Sequence, residues 1–575
     1  MKNFELAKLF YEMADLLEIN GENVFRVRAY ARAAQNLESH AEDIAAVAAR
    51  GELEKIPGVG RDLAAKITEY LRTGAIADLE AMRKEVPRGL LALLEVRGLG
   101  PKTAKLLLDR LGIDSVEKLE QATQSGDILT VPGIREKSRE NIRKAIATWK
   151  AGQVRMPLGK ALTLAGSLVE TLTAHGGVDR IEVAGSVRRM KETVGDIDIL
   201  VTSTNPARVI GTFVGLPSAQ DILAHGDTKA SIRHQEGIQV DLRVVEPEAF
   251  GAALQYFTGS KDHNVRVREI ASRKRLKVSE YGVFDEKTGK RIAGAAEEEV
   301  YRAVGLPWIV PELRENTGEI EAALGGNLPE LIELGAIRGD LHAHTDWSDG
   351  HHPLEKLIEA AEARGYDYII VSDHSKSATV AGGLTPDELR DQLRKIRELQ
   401  KKHRIRILAG SECDILADGR MDFPDDLLEE LDIVLAAVHS RFKQARAEMT
   451  ARIVRALENP YVNILVHPTG RLIGERDPYD VDLEQVFAAA RRHGKAVEIN
   501  SSWQRLDLKD VHARRAAEVG VPIVINTDTH YLENLTNMAL GVATARRAWI
   551  RPAQVVNTLP VKKLLDWARK SRPSH

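Results

Sequence analysis

The sequence predicts a multidomain α+β and α/β protein with three kinds of region. Apolar residues near the N-terminus, such as Leu6, Leu9, Phe10 and Met13, recur at helical spacing. A central region alternates acidic and apolar residues in short runs, which is typical of half-buried strands. The C-terminal part repeats short Ile/Val/Leu runs, each followed by a helix-like segment, and this pattern predicts parallel strands of a βα barrel.

Length and composition are those of an ordinary globular protein. The chain has 575 residues, too many for one core, with 43% apolar and 29% charged residues. Its single cysteine, Cys413, excludes an internal disulfide framework and cysteine-based zinc sites, and fits a reducing cytosol. Glu5, Glu12 and Asp15 interrupt the N-terminal apolar positions, so we expect no signal peptide. No uncharged apolar run approaches the roughly 18 residues of a membrane span, so we expect no membrane contact.

Charge is distributed without a basic field that would attract nucleic acid by itself. Residues 1–160 carry 26 Lys+Arg against 23 Asp+Glu, and residues 161–334 carry 20 against 26. DNA binding must therefore come from local arrangement. Histidine is uneven, because 12 of the 17 lie in residues 335–575.

A short glycine motif recurs in the N-terminal region. Residues 56–60 and 96–100 share the pattern apolar-x-Gly-apolar-Gly before a helix, and residues 131–135 are a weaker copy with Arg135 as the last residue. This is a helix-hairpin-helix signature, in which backbone N–H groups at a helix start approach a phosphate without reading sequence. One copy could be any helix corner, but three copies favour binding to the DNA backbone. The candidate DNA-binding glycines are Gly58, Gly60, Gly98 and Gly100.

Three aspartates of the central region form a candidate metal site. Asp196 and Asp198 alternate with apolar residues and so share one face of a strand, and Asp241 lies in a second acidic run, residues 238–244. Three carboxylates from two strands suit a pair of Mg²⁺ ions that clamp the attacking and leaving oxygens in phosphoryl transfer. An Asp-x-Asp alone is equally common on an exposed edge strand, but Gly185-Ser186 predicts a tight turn just before it.

Seven apolar runs of the C-terminal part end in polar clusters, and six have a His, Asp or Glu at that end. They are residues 337–344, 368–374, 405–412, 433–439, 462–467, 496–500 and 523–530. Function in βα barrels gathers at the C-terminal strand ends, where these side chains converge. Imidazole and carboxylate ligands without thiolate favour Zn²⁺, Mn²⁺ or Fe²⁺ over Mg²⁺. The candidate ligands are His342, His344, Asp349, His374, Glu412, His439, His467, Asp528 and His530.

These motifs together resemble a known family. The order Gly-Ser, Arg-Arg, Gly-Asp-x-Asp and a later strand aspartate resembles the palm of family X DNA polymerases, the DNA polymerase beta group. Residues 256–260, Tyr-Phe-Thr-Gly-Ser, look like that family's nucleotide-pocket turn. The last 240 or so residues resemble a PHP (polymerase and histidinol phosphatase) domain. Nearly the whole chain is similar to bacterial and archaeal family X DNA polymerases with a C-terminal PHP domain.

The resemblance implies a domain order and a fold for each part. We expect a helical 8-kDa-like domain, a fingers-like helical domain, a nucleotidyltransferase palm, a thumb-like nucleotide-selection subdomain, a linker, and a PHP domain that forms a distorted (β/α)7 barrel. Their expected bounds are 1–80, 81–154, 155–245, 246–315, 316–335 and 336–575.

The resemblance also implies roles for the palm and thumb residues. Asp196, Asp198 and Asp241 would be catalytic and hold two Mg²⁺ or Mn²⁺ ions. Ser186 and Arg189 would hold the triphosphate of a dNTP. The full set expected to bind nucleotide is Gly185, Ser186, Arg189, Gly195, Tyr256, Phe257, Gly259 and Asn264.

Two basic positions have an open alternative. Lys66 matches the family's lyase lysine, which forms a Schiff base with an abasic sugar, but it is equally well placed to contact a phosphate. Arg268 belongs to a basic helix edge that we expect beside the template, although such a run is commonly a solvated face.

The PHP resemblance divides the barrel ligands among up to three Zn²⁺ or Mn²⁺ ions. Site one would use His342, His344, Glu412 and Asp528. Site two would use Glu412 with His439 and His467, and site three Asp349, His374 and His530. A histidine replaces Asp349 in some relatives. A centre with every position filled implies a competent 3′→5′ exonuclease.

We therefore expect a DNA-directed DNA polymerase that fills short gaps in base-excision or end-joining repair, with an exonuclease and an abasic-site endonuclease as a possible further activity. The partners would be gapped or nicked DNA and dNTPs, and we expect a monomer in the cytoplasm, associated with the nucleoid. One rival is a small-phosphoester hydrolase whose N-terminal half only binds DNA. The other is a non-catalytic DNA-end scaffold, which leaves the metal ligands unexplained.

Overall fold

The computed structural model describes residues 2–38, 44–85, 90, 93, 96, 99–152, 155–175 and 177–572. The chain forms two compact units. Residues 1–155 belong to the first unit together with 217–223 and 232–240, and the remaining residues, 156–216, 224–231 and 241–575, form the second.

The N-terminal region of the first unit is helical. Its helices bury one apolar core that includes Phe10, Met13, Tyr30 and Leu107. The described helices are Lys2–Ile19, Val24–Glu38, Ile44–Ala49, Arg61–Thr73, Ala77–Glu85, Pro101–Leu111, Val116–Ser125 and Glu136–Gly152.

The same backbone hydrogen bond closes all three copies of the glycine motif. In each copy the fourth residue's N–H donates to the first residue's carbonyl. The bonds run from Val59 to Ile56 at 3.0 Å, from Leu99 to Val96 at 3.0 Å, and from Ile134 to Val131 at 3.1 Å. Gly58 and Gly133 have φ of 80° and 90°, a conformation that favours glycine, while Gly98 lies outside the described residues. The repeated turn presents a helix start at each copy.

A five-stranded sheet carries the predicted acidic strands. In spatial order its strands are Arg180–Val183, Asp196–Thr202, Gln239–Val244, Lys229–His234 and Ala219–His225. The neighbouring helices are Leu158–His175, Gly185–Arg188 and Pro206–Val214. A separate antiparallel pair joins Met156–Pro157 to Thr193–Val194.

The thumb-like part combines helices with a three-stranded antiparallel sheet. The helices are Phe250–Thr258, Lys261–Arg273 and Glu297–Val304, and the strands are Leu276–Ser279, Gly282–Asp285 and Arg291–Ala293. Within the expected linker, 316–335, lies the helix Glu319–Leu324, whose Ile320 packs in the thumb core.

The C-terminal part is a nearly closed barrel of seven parallel strands in sequence order. The strands are Gly339–Asp340, Tyr368–Val371, Arg406–Asp414, Ile433–Ala437, Val462–Leu465, Ala496–Asn500 and Ile523–Asn526. A parallel bridge between Ala343 and Thr529 joins the segments that follow the first and last strands. The surrounding helices are Leu354–Ala363, Pro386–Gln400, Asp425–Glu429, Arg446–Glu458, Leu483–His493, Asp510–Glu518, Met538–Arg547 and Val561–Arg569.

The predicted fold class is confirmed. Palm and barrel pack directly on each other through a cluster of Leu158, Leu506 and Leu540. Gly159 allows this approach, because a Cβ there would lie 2.5 Å from the Cβ of Trp503. Among the described helices, we find none with both the length and the apolar character needed to cross a bilayer.

Candidate active sites

The palm carboxylates lie on two neighbouring strands. Asp196 and Asp198 occupy the strand Asp196–Thr202, while Ile197 and Ile199 on its other face are 0% and 1% exposed. Asp241 lies on the adjacent strand, Gln239–Val244. Apolar burial on one face therefore fixes which way the aspartates point.

Electrostatics at Asp198 favour a cation in the palm. Burial, together with repulsion from Asp196 and Asp241, raises the pKa of Asp198 to about 7, against the opposite effect of Arg243. Carboxylates that repel one another in a partly desolvated place gain most from a shared divalent ion. The oxygen-only donor set fits Mg²⁺ or Mn²⁺.

Gly185 opens a one-turn helix, Gly185–Arg188, where the sequence predicted only a tight turn. Its φ is 63°, and a Cβ at this position would overlap the Asp198 carboxylate, so the site requires glycine. Ser186 is the second residue of this helix, and Gly195 directly precedes the aspartate strand.

Arg189 links this helix to residues 256–260, the aromatic turn. Its Nε donates to Glu315 Oε1 at 3.0 Å, and its Nη1 donates to the Thr258 carbonyl. A Cβ at Gly259, which has φ of 70°, would stand 3.1 Å from Arg189 Nη1. Gly259 therefore lets the Arg189 guanidinium approach. The sequence analysis did not identify Glu315, the carboxylate partner of Arg189.

The aromatic turn is ordered by its own polar contacts. Tyr256 and Phe257 meet edge to face with centroids 5.1 Å apart, and the Arg243 guanidinium lies 4.3 Å from the Phe257 ring centroid. Asn264 is buried, donating to the Tyr256 carbonyl at 2.7 Å and accepting from Gln255 at 2.7 Å. The expected contact of Asn264 with a base stays a prediction.

A buried ion-pair network that the sequence did not reveal joins palm and thumb. Arg188 donates to both oxygens of Glu297 at 2.7 and 3.0 Å, and Arg314 donates to Glu297 Oε1 at 2.6 Å. Burial would raise the pKa of Glu297, but Arg314 and Arg188 outweigh it and lower the pKa to about 2. The only sequence signal was Arg188, the first arginine of the Arg-Arg pair.

The barrel brings its ligand candidates into three overlapping groups, each with atoms within 4.8 Å of one another. The groups are His342, His344, Glu412 and Asp528; His344, Asp349, His374 and His530; and His374, Glu412 and His439. His467 Nε2 lies 2.6 Å from Glu412 Oε1, the oxygen that His439 Nε2 approaches at 3.1 Å. The nine predicted side chains therefore form one connected cluster.

Their donor atoms fit bound metal ions. In the described part of the chain, buried ring nitrogens of His342, His344 and His374 have no hydrogen-bond partner. His342 Nε2 stands 3.2 Å from Glu412 Oε2 and 3.4 Å from Asp528 Oδ1. Burial would raise the pKa of Glu412, but the histidines, His374 first, hold it well below its ordinary value. An ionised carboxylate among buried imidazoles is a donor set for Zn²⁺ or Mn²⁺.

The sequence analysis did not identify the carboxylates that contact the ligand histidines. Glu498 Oε1 lies 2.8 Å from His342 Nδ1, and its other oxygen accepts from the His467 backbone N–H at 2.7 Å. Asp414 Oδ1 lies 2.6 Å from His439 Nδ1. Such partners fix the orientation and tautomer of a ligating imidazole. A glutamate within a buried strand, Ala496–Asn500, was the available signal.

Among the DNA-binding candidates, Gly60 and Gly100 are the N-caps of the helices Arg61–Thr73 and Pro101–Leu111, and Arg268 is exposed on its helix. Lys66 is held by Asp78 at 2.6 Å and Asp62 at 3.3 Å. Burial favours the neutral amine, but the hydrogen bond to Asp78, together with the effects of Tyr30 and Asp62, outweighs it, and the pKa of Lys66 is raised. A nucleophilic lysine needs the opposite shift, so this arrangement favours a charged contact.

Four family models match separate parts of the chain. They are a helix-hairpin-helix domain at residues 1–76, a SAM-like helix-hairpin-helix tandem at 90–148, a DNA polymerase beta thumb at 253–315 and a PHP domain at 340–502. The chain is 39% identical over 574 residues to the DNA polymerase/3′-5′ exonuclease PolX of Bacillus subtilis (strain 168), covering 99% of this chain and 100% of the relative. The chain belongs to the PolX family.

Other relatives match only the barrel part. A probable phosphatase of Thermoanaerobacter sp. (strain X514) is 29% identical over 246 residues, 40% of this chain and 95% of the relative. Another, from Caldanaerobacter subterraneus subsp. tengcongensis, is 32% identical over 204 residues, 33% of this chain and 75% of the relative. The predicted family, a family X polymerase with a PHP domain, is confirmed by the PolX match.

Proposed function

We propose that this PolX-family chain is a DNA-directed DNA polymerase that fills short gaps and trims 3′ ends with a metal-dependent 3′→5′ exonuclease. The observation that carries the polymerase function is the group of aspartates around Asp198, together with the aromatic turn that Arg189 contacts. The observation that supports the exonuclease is the complete set of buried ligands in the barrel. The PolX relative's name joins the same two activities.

In the palm, Asp196, Asp198 and Asp241 would hold two Mg²⁺ or Mn²⁺ ions, which neutralise phosphate charge and lower the pKa of the primer 3′-OH when bound. Ser186 and Arg189 bind the triphosphate, since a guanidinium suits phosphate contacts. Gly185 and Gly195 leave room for phosphate beside the aspartates. Tyr256, Phe257 and Gly259 shape the sugar pocket, and Asn264 contacts the base.

In the barrel, the nine ligand residues would hold up to three Zn²⁺ or Mn²⁺ ions, which supply Lewis-acid activation of water for phosphodiester hydrolysis. Glu412 belongs to two of the three groups and contacts His342, His439 and His467. Glu498 and Asp414 orient the rings. The same centre would accept an abasic-site phosphodiester as a further substrate.

The remaining assignments follow from the N-terminal turns. Gly58, Gly60, Gly98 and Gly100 would bring backbone N–H groups to the phosphates of gapped or nicked DNA, with Lys66 and Arg268 as cationic contacts. We propose a monomer that works in the cytoplasm at the nucleoid, with the six domain bounds expected from the sequence.

The test is a 5′-labelled primer in a one-nucleotide gap, incubated with Mg²⁺ or Mn²⁺, with and without dNTPs. We expect template-directed addition with dNTPs and stepwise shortening without them. Shortening alone would contradict the polymerase function and leave the palm as a DNA clamp. Extension alone would contradict the exonuclease function.

The probable phosphatases that match the barrel favour a second activity, hydrolysis of small phosphate monoesters. p-Nitrophenyl phosphate tests it with the same metals. Turnover that disappears in His344→Ala would support it, and absence of turnover by the full chain would exclude it.

A further inference from the structure

We infer that Arg547, an arginine of the barrel domain, is a positioning residue for nucleotide binding in the palm. Arg547 is the last residue of the barrel helix Met538–Arg547, and its side chain is only 6% exposed. Its Nη1 donates to the Arg189 backbone carbonyl at 2.7 Å and to Glu315 Oε1 at 3.1 Å. The inference rests on the proposed polymerase function, in which Arg189 binds the triphosphate.

One carboxylate oxygen is shared by the two arginines. Glu315 Oε1 accepts from Arg189 Nε at 3.0 Å as well as from Arg547. Glu315 and a nucleotide phosphate therefore compete for the same guanidinium. Because Arg547 neutralises part of the Glu315 charge, it weakens the hold of Glu315 on Arg189.

Arg547 is itself fixed from the barrel side. Asp510, the first residue of the helix Asp510–Glu518, accepts from Arg547 Nε at 2.9 Å, and its Oδ2 lies 2.8 Å from Nη2. The other cation near Glu315, Lys191, is more distant, with its Nζ 3.9 Å from Oε2. Loss of Arg547 thus leaves Arg189 as the main partner of Glu315 and also releases the Arg189 carbonyl.

The consequence is that the barrel domain sets the dNTP affinity of the polymerase site. Arg547→Ala should raise the KM for dNTP about tenfold, the effect of losing one charge-assisted contact, with kcat little changed. Arg547→Lys should recover part of the affinity, because it keeps the charge but not the paired donors. Glu315→Gln combined with Arg547→Ala should restore the KM, because the competing charge is gone.

Arg546→Ala is the matched control. Arg546 lies on the same helix and reaches the same thumb segment, donating to Glu312 Oε1 at 2.7 Å and the Ile332 carbonyl at 3.2 Å. The Arg546→Ala substitution removes one positive charge, and the contacts described for Arg546 do not include Arg189 or Glu315.

The experiment measures single-nucleotide gap filling by full-length variants as a function of dNTP concentration, with nuclease activity and thermal unfolding recorded for each. A raised KM in Arg547→Ala alone, reversed by Glu315→Gln, is the expected result. Equal KM values for Arg546→Ala and Arg547→Ala, or no reversal by Glu315→Gln, would overturn the positioning role while wild-type extension keeps the polymerase function. A wild-type chain that adds no nucleotide would instead overturn the proposed function, and this inference with it. If Arg547→Ala does not fold, Arg547→Lys and Glu315→Gln decide the question by the same KM comparison.

Discussion

The palm and the barrel present two opposite kinds of candidate metal site. The palm uses carboxylates alone, and its Asp196 is exposed at the start of an open sheet's strand. The barrel uses histidines with carboxylates, and His342, His344 and Glu412 are 0%, 2% and 1% exposed. Oxygen donors at an open edge suit ions that arrive with a nucleotide, whereas buried imidazoles with orienting carboxylates suit resident ions.

The difference also lies in what supports each site. In the palm, buried and partly buried arginines hold the surrounding residues through ion pairs with Glu297 and Glu315. In the barrel, Glu498 and Asp414 contact the ligands themselves. The two centres should therefore fail separately, and for different physical reasons.

The largest effect should come from Asp198→Ala. It removes a central palm carboxylate, and since bound metals contribute several kcal/mol to phosphoryl transfer, primer extension should fall by about a thousandfold. Nuclease activity should be unchanged. Asp221→Ala, on an outer strand of the same sheet, is the control. Full extension by Asp198→Ala would mean that these carboxylates are only surface residues.

The converse test is His344→Ala or His374→Ala. Either change removes an imidazole from two of the three barrel groups, so exonuclease activity should also fall by about a thousandfold while gap filling persists. His403→Ala tests for general effects of losing a histidine, because His403 pairs with Glu362 at 3.2 Å on the helix side of the barrel. Joint loss of both activities would break the picture of two independent centres.

Glu297→Gln tests the ion pairs that stabilise the surroundings of the palm site. It leaves the buried Arg314 and the partly buried Arg188 without their carboxylate, so the free energy of unfolding at pH 7 should drop by about 3–5 kcal/mol. The folded pKa of Glu297, about 2, lies below its ordinary value of 4.5, so the stabilisation is present above pH 4.5. It is lost as pH falls towards 2.

Denaturant unfolding of wild type and Glu297→Gln between pH 7 and pH 3 measures this. The stability difference should narrow at the acid end, and Glu298→Gln, exposed on the same helix, should show none. A difference that stays constant with pH would point to packing instead of the ion pairs.

The smallest effect should be that of Glu498→Gln. The amide keeps the shape but not the charge beside His342, so metal affinity and exonuclease activity should fall about 10- to 100-fold. Titration of the chelator-treated chain with Zn²⁺ or Mn²⁺ checks this, with primer extension as an internal reference. An unchanged affinity would show that Glu498 only fills the strand interior.

The sequence alone determined the architecture and the candidate sites. Alternation at Asp196–Ile199 and the seven apolar runs are local patterns whose period follows from strand geometry, and strand ends of a parallel barrel must converge. The third glycine copy, with Arg135, is closed by the same backbone hydrogen bond as the others, because the apolar residues that make it are preserved.

Only the tertiary structure decided which charged residues pair. Arg188 and Glu297 are 109 residues apart, Arg189 and Glu315 are 126 apart, and Arg547 and Glu315 are 232 apart. No local period links such positions, and the chain offers 81 cations and 84 anions as alternative partners. Burial selects among them, because packing leaves each desolvated charge only the partners that the fold brings within reach.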